Sequence, residues 1–262
     1  MSVPRFFVPD VPEIDPRGEI ALPSDEAAHL MRVLRLGVGD EIAVFDGRGR
    51  EFRARVARLR GAKGGDSAHV ELIEPLEPAP EPRVRLTLAQ AILKPDAMND
   101  VVRDATMMGV ARIDPIVSAH VTVKESAWSS GRAVERWRRV AVASAKQCRR
   151  AVVPDIAPPC PFEPWLADHM ADVKIVLVEP AVALVGEAPS ADAVGTDLAS
   201  LADRRAGSAA ILVGPEGGWH ADERRQAEKA GFAPITLGRL TLRADATPIV
   251  GIALLRFVLR DL

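Results

Sequence analysis

The nine residues Glu74 to Pro82, EPLEPAPEP, constrain this chain more than any other stretch. Proline fixes φ and lacks an amide hydrogen, so such a run neither continues a helix nor enters a sheet interior. It reads as a stiff linker, placed at residues 77–83. It separates a unit at residues 1–76 from a second at residues 84–262, and the hydrophobic rhythm differs on its two sides.

Before the linker the pattern is that of a small β domain. Ile42 to Phe45 is a short apolar strand, Asp46-Gly47-Arg48-Gly49 a turn, and Glu51 to Leu59 an alternating strand. Phe52, Ala54 and Val56 share one face of that strand, with Arg58 in line with them, and Arg53, Arg55 and Ala57 share the other. Ala68 to Ile73 predicts a further strand. Ser24 is placed to cap a short helix whose first turn carries Asp25 and Glu26.

After the linker, strands alternate with helices. Strands are predicted at Val84 to Ala91, Arg112 to Val117, Val173 to Val178, Ala209 to Val213 and Pro234 to Leu237. Helices are predicted at Pro95 to Met108, Gly131 to Arg150, Ala221 to Ala230 and Thr247 to Leu259. The alternation implies an α/β domain built on a mostly parallel sheet, and the uninterrupted apolar runs suit strands buried on both faces. Pro180 to Arg205 is Ala-rich and poorly periodic, and reads as a loop with room for one helix.

The net charge of −2 does not favour a polyanionic partner, but its distribution does. His29 to Lys63 holds nine Lys or Arg against four acids, and Arg132 to Arg150 holds seven against Glu135 alone. A nucleic acid responds to such patches rather than to the average. Basic residues that merely solubilise an exposed face would give the same count. The helix from Gly131 places Val134, Trp137, Ala141, Ala145 and Cys148 on an apolar stripe, read as core. Arg132, Arg136, Arg139, Lys146 and Arg150 fall beside it. No run of about 18 apolar residues and no signal-peptide layout occurs, and Cys148 and Cys160 form no metal or disulfide framework. A cytoplasmic protein is the expectation.

The chemistry concentrates at strand ends. Gly214-Pro215-Glu216-Gly217-Gly218 follows the apolar strand Ala209 to Val213, and in open α/β sheets ligands bind beyond the carboxyl ends of strands. Leu237 to Pro248, LGRLTLRADATP, follows the next strand with a second glycine, an arginine and a carboxylate. Leu177-Val178-Glu179-Pro180 ends a third. If the strands are parallel, all three loops lie on one edge and can enclose a ligand. A plain strand-to-helix turn would explain the first loop taken alone. Neither a Walker-type phosphate loop nor a Gly-x-Gly-x-x-Gly fingerprint is present.

These motifs resemble the SPOUT class of methyltransferases, and within it the RsmE type, which methylates N3 of a uridine in small-subunit (16S) ribosomal RNA. The resemblance rests on GPEGG and on the later Leu-Gly and Leu242-Arg243-x-acid segments. It extends to His29-Leu30-Met31-Arg32-Val33-Leu34-Arg35 and Phe45-Asp46-Gly47, which are similar to that family's small PUA-like β-barrel domain. Glu135-Arg136-Trp137 and Lys146-Gln147-Cys148-Arg149-Arg150 agree with it too. The resemblance implies a trefoil knot in the C-terminal domain, S-adenosylmethionine as cofactor, and a homodimer. It implies cofactor contacts from Leu177, Glu179, Gly214, Glu216, Gly217, Leu237, Gly238 and Leu242. RNA contacts are expected from Arg32, Arg35, Arg53, Arg55, Arg136, Gln147 and Arg150.

On that reading Arg243 is the catalytic candidate, a fixed cation for charge spreading onto the target base, and Asp245 or Glu216 accepts the proton. Where the family usually has Leu-Arg-Thr-Glu-Thr-Ala, this chain has Leu242-Arg243-Ala244-Asp245-Ala246-Thr247, an acid one methylene shorter. Asp104 and Met107 stand in place of a lysine and a glutamate, and His120 in place of an arginine. A SPOUT enzyme for another RNA position, or a silent RNA-binding or ribosome-assembly relative, are the alternatives left open. Trp128, Trp219 and arginines are the candidates for base stacking, and no metal site is expected.

Overall fold

The computed structural model describes residues 3–11, 18–61, 65–180, 198–202 and 204–262. Most of the segment expected to be an Ala-rich loop, together with Lys63, lies outside the described residues. The chain forms two compact units, Met1–Glu81 with Val142–Val153, and Pro82–Ala141 with Pro154–Leu262. Among the described residues no helix is long and apolar enough to cross a membrane.

The first unit is a five-stranded sheet of β1 (Arg5–Phe7), β2 (Glu19–Ala21), β3 (Glu41–Phe45), β4 (Glu51–Arg60) and β5 (Ser67–Leu76), in the order β1-β3-β4-β5-β2. β1 runs parallel to β3 and the other pairs are antiparallel. Phe6, Leu30, Ile42, Val44, Ala54, Val56 and Val70 fill its core. α1 (Ser24–Ala28) is followed by a π-helical turn at His29–Val33. Pro23, not Ser24, occupies the N-cap, and no side chain bonds there, so the expected serine cap is not formed.

β4 and β5 depart from two further expectations. The register of β4 against β5 shifts between Val56 and Arg58, and such a bulge resets the side-chain alternation. Arg58 therefore points outward to pair with Glu19, while Leu59 packs on the core. β5 also continues through Pro75, which pairs with Phe52. The second neighbour, β2, covers β5 only at His69 to Glu71, so Pro75 sits where β5 is an edge and needs no amide on that side.

The end of α3 (Gly131–Cys148) belongs to this unit. Arg5 reaches the carbonyl of Ala145 (2.8 Å) while its Nε holds Glu51 (2.8 Å), and its guanidinium lies 4.6 Å from the centre of the Phe45 ring. Lys146 pairs with Glu26 at 2.7 Å. The helix stops two residues before the expected Arg150, because Arg149 takes a left-handed conformation at φ 68°.

The second unit is a parallel sheet of β6 (Arg85–Ala91), β7 (Arg112–Val117), β8 (Asp155–Ile156), β9 (Cys160–Pro161), β10 (Val173–Leu177), β11 (Ser208–Val213) and β12 (Ala233–Ile235). Its order is β12-β10-β11-β6-β7-β8, with β9 also beside β7. The helices are α2 (Pro95–Met107), α4 (Phe162–Asp168), α5 (Ala221–Lys229) and α6 (Thr247–Val258), with the first part of α3. β1, β2, β8, β9 and α4 had no counterpart in the sequence reading. α4 is short, and it forms because Phe162 and Trp165, three apart, both bury on the sheet side. Every strand runs the same way, so the loops after β6, β7, β10, β11 and β12 meet at one edge.

Candidate functional site

The loop after β11, Gly214 to His220, is the centre of that edge. It turns through a hydrogen bond from the Gly218 amide to the Pro215 carbonyl, 3.0 Å long. Gly218 has φ 68°, and a Cβ there would lie 3.2 Å from a Glu179 carboxylate oxygen. At Gly217 a Cβ would lie 3.2 Å from Cβ of His120. Both positions favour glycine, Gly218 for its backbone conformation and Gly217 for its close approach to His120.

Neighbouring loops fasten this turn from three sides. From β10, the carbonyl of Leu177 accepts the Trp219 indole N–H at 3.0 Å. From β7, Nδ1 of His120 lies 3.1 Å from the carbonyl oxygens of both Gly217 and Gly218. The Ala119 amide donates to Glu223 at 2.8 Å, and the other oxygen of Glu223 accepts the His220 amide at 3.0 Å. From β6, buried Gln90 donates to the Ala91 carbonyl at 2.9 Å and reaches the Gly214 carbonyl at 3.4 Å. The Lys94 amide stands 3.5 Å from the exposed Glu216 carboxylate. Two buried side chains at this edge keep an atom without a protein partner, Oε1 of Gln90 and Oγ of Ser118. Unmatched buried polar atoms beside a strand end suit a polar ligand.

The sequence had pointed to Leu177, Glu179, Gly214, Glu216 and Gly217, and the fold brings them to adjacent strand ends. The Leu177 side chain turns away into the core, where a Cβ at Gly251 would meet it at 2.7 Å. Only its backbone can therefore serve a ligand, and the carbonyl already serves Trp219. Leu237, Gly238 and Leu242 lie on the loop after β12, beside β10 in the sheet. Gly238 is exposed at φ 99°, and no atom lies within 4 Å of where its Cβ would be. Sequence reading missed Glu223, Gln90 and the structural use of Trp219, and marked His120 only as a departure from the family pattern. One signal was available: His220-x-x-Glu223 before a helix has capping-box spacing, and α5 is capped that way.

Arg243 and Asp245 meet on the same loop through two hydrogen bonds, Nε to Oδ1 at 3.1 Å and Nη2 to Oδ2 at 2.8 Å. The Arg243 hydrogen bond holds the Asp245 carboxyl below its ordinary range, and a carboxylate so held is a weak base. That geometry argues against Asp245 as the proton acceptor. The Arg243 carbonyl anchors the start of α6 by accepting the amide (2.9 Å) and hydroxyl (2.8 Å) of Thr247. On α2, Asp104 bonds Arg103 at 2.7 Å, and Met107 is exposed.

The expected RNA contacts divide by their partners. Arg32 and Arg35 are exposed, and Arg32 pairs with Asp66. Arg53 and Arg55 project outward together, near Glu74 (3.1 Å) and Glu41 (3.6 Å). Gln147 is exposed, and half-buried Arg136 keeps Nε enclosed without a partner. Arg150 is 6% exposed and its Nε donates to Glu81 at 3.0 Å. Its charge is neutralised inside its own unit, which removes it from the residues offered to a phosphate.

Residues 80–256 match the family described as RNA methyltransferase domain, and residues 22–64 match the RNA methyltransferase PUA domain. The ribosomal RNA small subunit methyltransferase E of Synechocystis is 28% identical over 92% of this chain and 74% of its own length. The protein of that name from Mycobacterium tuberculosis is 28% identical over 94% and 88%. Among solved structures, ribosomal RNA small subunit methyltransferase E from Neisseria gonorrhoeae, bound to S-adenosyl methionine, superposes with a TM-score of 0.81. It is 26% identical and covers 98% of both chains. A putative methyltransferase from Legionella pneumophila shares the fold at a TM-score of 0.83 and 24% identity over 98% of both chains.

Proposed function

This chain belongs to the RNA methyltransferase family, and we propose that it transfers a methyl group from S-adenosylmethionine to N3 of a uridine in small-subunit ribosomal RNA. The observation that carries the reading is the gathering of the loops after β6, β7, β10 and β11 around Gly214 to Gly218. The likeness to the cofactor-bound Neisseria enzyme supports it.

The residues present fit the cofactor. Open space over Gly238 and the unmatched Gln90 and Ser118 atoms offer room and polar partners at one edge. Glu179, Gly214, Glu216, Gly217, Leu237, Gly238 and Leu242 would hold it, largely through backbone, with the Leu177 backbone as a further wall. When bound, it supplies an electrophilic methyl on a sulfonium, and the protein supplies placement and electrostatics.

Arg243 acts on the substrate side. Its side chain is 84% exposed, and its guanidinium is fixed by Asp245, so a cation stands ready for negative charge on the base carbonyl oxygens. Asp245 orients that cation rather than taking a proton. The exposed Arg32, Arg35, Arg53, Arg55 and Gln147, with half-buried Arg136, position the RNA by its backbone.

A homodimer and a knotted chain path belong to the same reading. α6 leaves Leu254 and Phe257 exposed, 40% and 70%, and α2, which packs on α6, leaves Met107 exposed, apolar surface that a second copy would cover. β12 lies outside β10, yet the helix that follows it packs back against β11, as a chain threaded through its own loops would. A ribosomal RNA substrate is in keeping with a cytoplasmic protein.

Titration calorimetry with S-adenosylmethionine tests the cofactor, and mass mapping of ribosomal RNA from cells lacking the gene tests the target. Binding, with loss of one methyl from a small-subunit uridine restored by the gene, is expected. An absence of heat at millimolar cofactor, or an unchanged RNA, overturns the reading.

A further inference from the structure

The imidazole of His120 is held through one nitrogen only. Nδ1 stands 3.1 Å from each of two carbonyl oxygens, those of Gly217 and Gly218. A carbonyl oxygen accepts and cannot donate, so the hydrogen of the neutral ring sits on Nδ1 and the lone pair on Nε2. Among the described residues Nε2 has no hydrogen-bond partner, and the residue is exposed. The backbone beneath it is fixed as well, since the adjacent Ala119 amide is bonded to buried Glu223.

His220 lies edge-on to it, ring centres 5.6 Å apart, and is held in the opposite tautomer. Its Nδ1 accepts the Asp222 amide at 3.2 Å, so its hydrogen sits on Nε2 and its lone pair is occupied. Of the two rings, only His120 offers a free lone pair. Three carboxylates of this edge are less suited. Asp245 is bonded twice to Arg243, and both oxygens of Glu223 are taken by amides. Glu216 is exposed with a single long contact to the Lys94 amide, so nothing fixes its direction.

We propose that Nε2 of His120 is the general base that takes the N3 proton of the target uridine, an assignment that rests on the methyltransferase reading above. A base must be both free and oriented, and the two glycine carbonyls orient this ring from its far nitrogen as a carboxylate does in a catalytic triad. The same carbonyls belong to the loop expected to hold the methyl donor, so base and donor share one support. In the step, the N3–H bond breaks and its electron pair stays on nitrogen, while the proton joins Nε2 to give an imidazolium. The N3 pair then forms the bond to the methyl carbon as the carbon–sulfur pair leaves with the sulfonium sulfur. Solvent takes the proton from Nε2 and the ring returns to its starting tautomer.

His120→Asn separates base from tether, because its amide N–H can replace Nδ1–H at the two carbonyls while nothing replaces Nε2. S-adenosylmethionine affinity by calorimetry should stay within about threefold, and methyl transfer to ribosomal RNA should fall by about 100-fold or more. His120→Gly should regain part of its activity in added imidazole. Nitrogen-15 NMR of the wild-type protein should show His120 protonated at Nδ1 when neutral. A His120→Asn enzyme with turnover near wild type, or a ring protonated at Nε2, overturns the base while leaving the methyltransferase intact. A folded wild type that binds no cofactor, or binds it and methylates no RNA, overturns the parent reading and this proposal together.

Discussion

Arg243 and Asp245, two residues apart, are joined by a pair of hydrogen bonds of 3.1 and 2.8 Å, with the arginine side chain 84% and the aspartate 20% exposed. The carboxylate thus serves as the mount for the cation. Asp245→Asn keeps the shape but removes the charge that fixes the guanidinium. Misplacing a catalytic group by an ångström can cost about 100-fold, so turnover should fall by one to two orders of magnitude. Cofactor affinity should hardly change. Arg243→Ala should cost at least as much, and the double variant little more than Arg243→Ala alone. Single-turnover rates on ribosomal RNA decide it, and additive losses would show that the two residues act independently.

Asp46 makes a second acid-dependent device, this one for folding. Its carboxylate is buried and accepts the Arg48 amide (2.7 Å), the Arg50 amide (3.0 Å) and Arg50 Nε (2.7 Å). Burial pushes the carboxyl up, but the hydrogen bonds from the Arg50 side chain and the two amides, with the Arg50 charge, outweigh it and hold it below the ordinary range. A lowered folded value means stability fully present above the unfolded value, about 3.9, and lost as pH falls through the folded one. Asp46→Asn should cost about 1–3 kcal/mol at neutral pH. Its denaturation midpoint should fall less steeply than wild type below about pH 4. Urea titrations at several pH values test both.

The strand-and-helix alternation after the linker was legible because apolar runs report burial directly. Arg112 to Val117 has the bounds the sequence implied. The common edge of the loops followed from parallel strands alone. Periodicity reports only which residues share a face, so long-range partners were hidden. Arg150 reads as one of a basic stripe, yet its partner Glu81 lies 69 residues away. The bulge that turns Arg58 outward leaves no mark in an alternating sequence. β1 and β2 are three residues each and exist because β3 and β5 lie alongside them. His120 was noted as a departure from a family pattern, but its tie to Gly217 and Gly218 joins two loops far apart in sequence.

At the C-terminus Arg256 and Asp261 form an ion pair with side chains 3% and 2% exposed, 2.5 Å apart. Asp261 also accepts the amides of Arg83 (2.7 Å) and Val84 (3.2 Å), and Arg256 bonds the carbonyls of Met108 and Gly109, each at 2.7 Å. Removing one member strands the other in the interior. Asp261→Ala should therefore destabilise the protein by about 3–5 kcal/mol. Arg256→Met with Asp261→Ala should cost less than the two single losses summed, since no lone charge remains. Guanidinium denaturation of the four proteins completes the cycle, and strict additivity would contradict the coupling.

The arginines make a last, opposed pair of expectations. Arg35 is exposed, with no acid partner among the described residues, whereas Arg150 is buried on Glu81. A cation on a phosphate releases counterions, and each such contact contributes about 0.7 to the slope of log affinity against log salt on single-stranded RNA. Arg35→Ala should therefore weaken RNA binding and flatten that slope by about this amount, with thermal stability unchanged. Arg150→Ala should lower thermal stability, because Glu81 loses its partner and the cavity is unfilled, while the slope stays that of the wild type among folded molecules. Fluorescence anisotropy over a range of salt, alongside melting curves, separates the two. A flattened slope for Arg150→Ala with an unchanged melt would mean that this buried cation reaches the RNA after all.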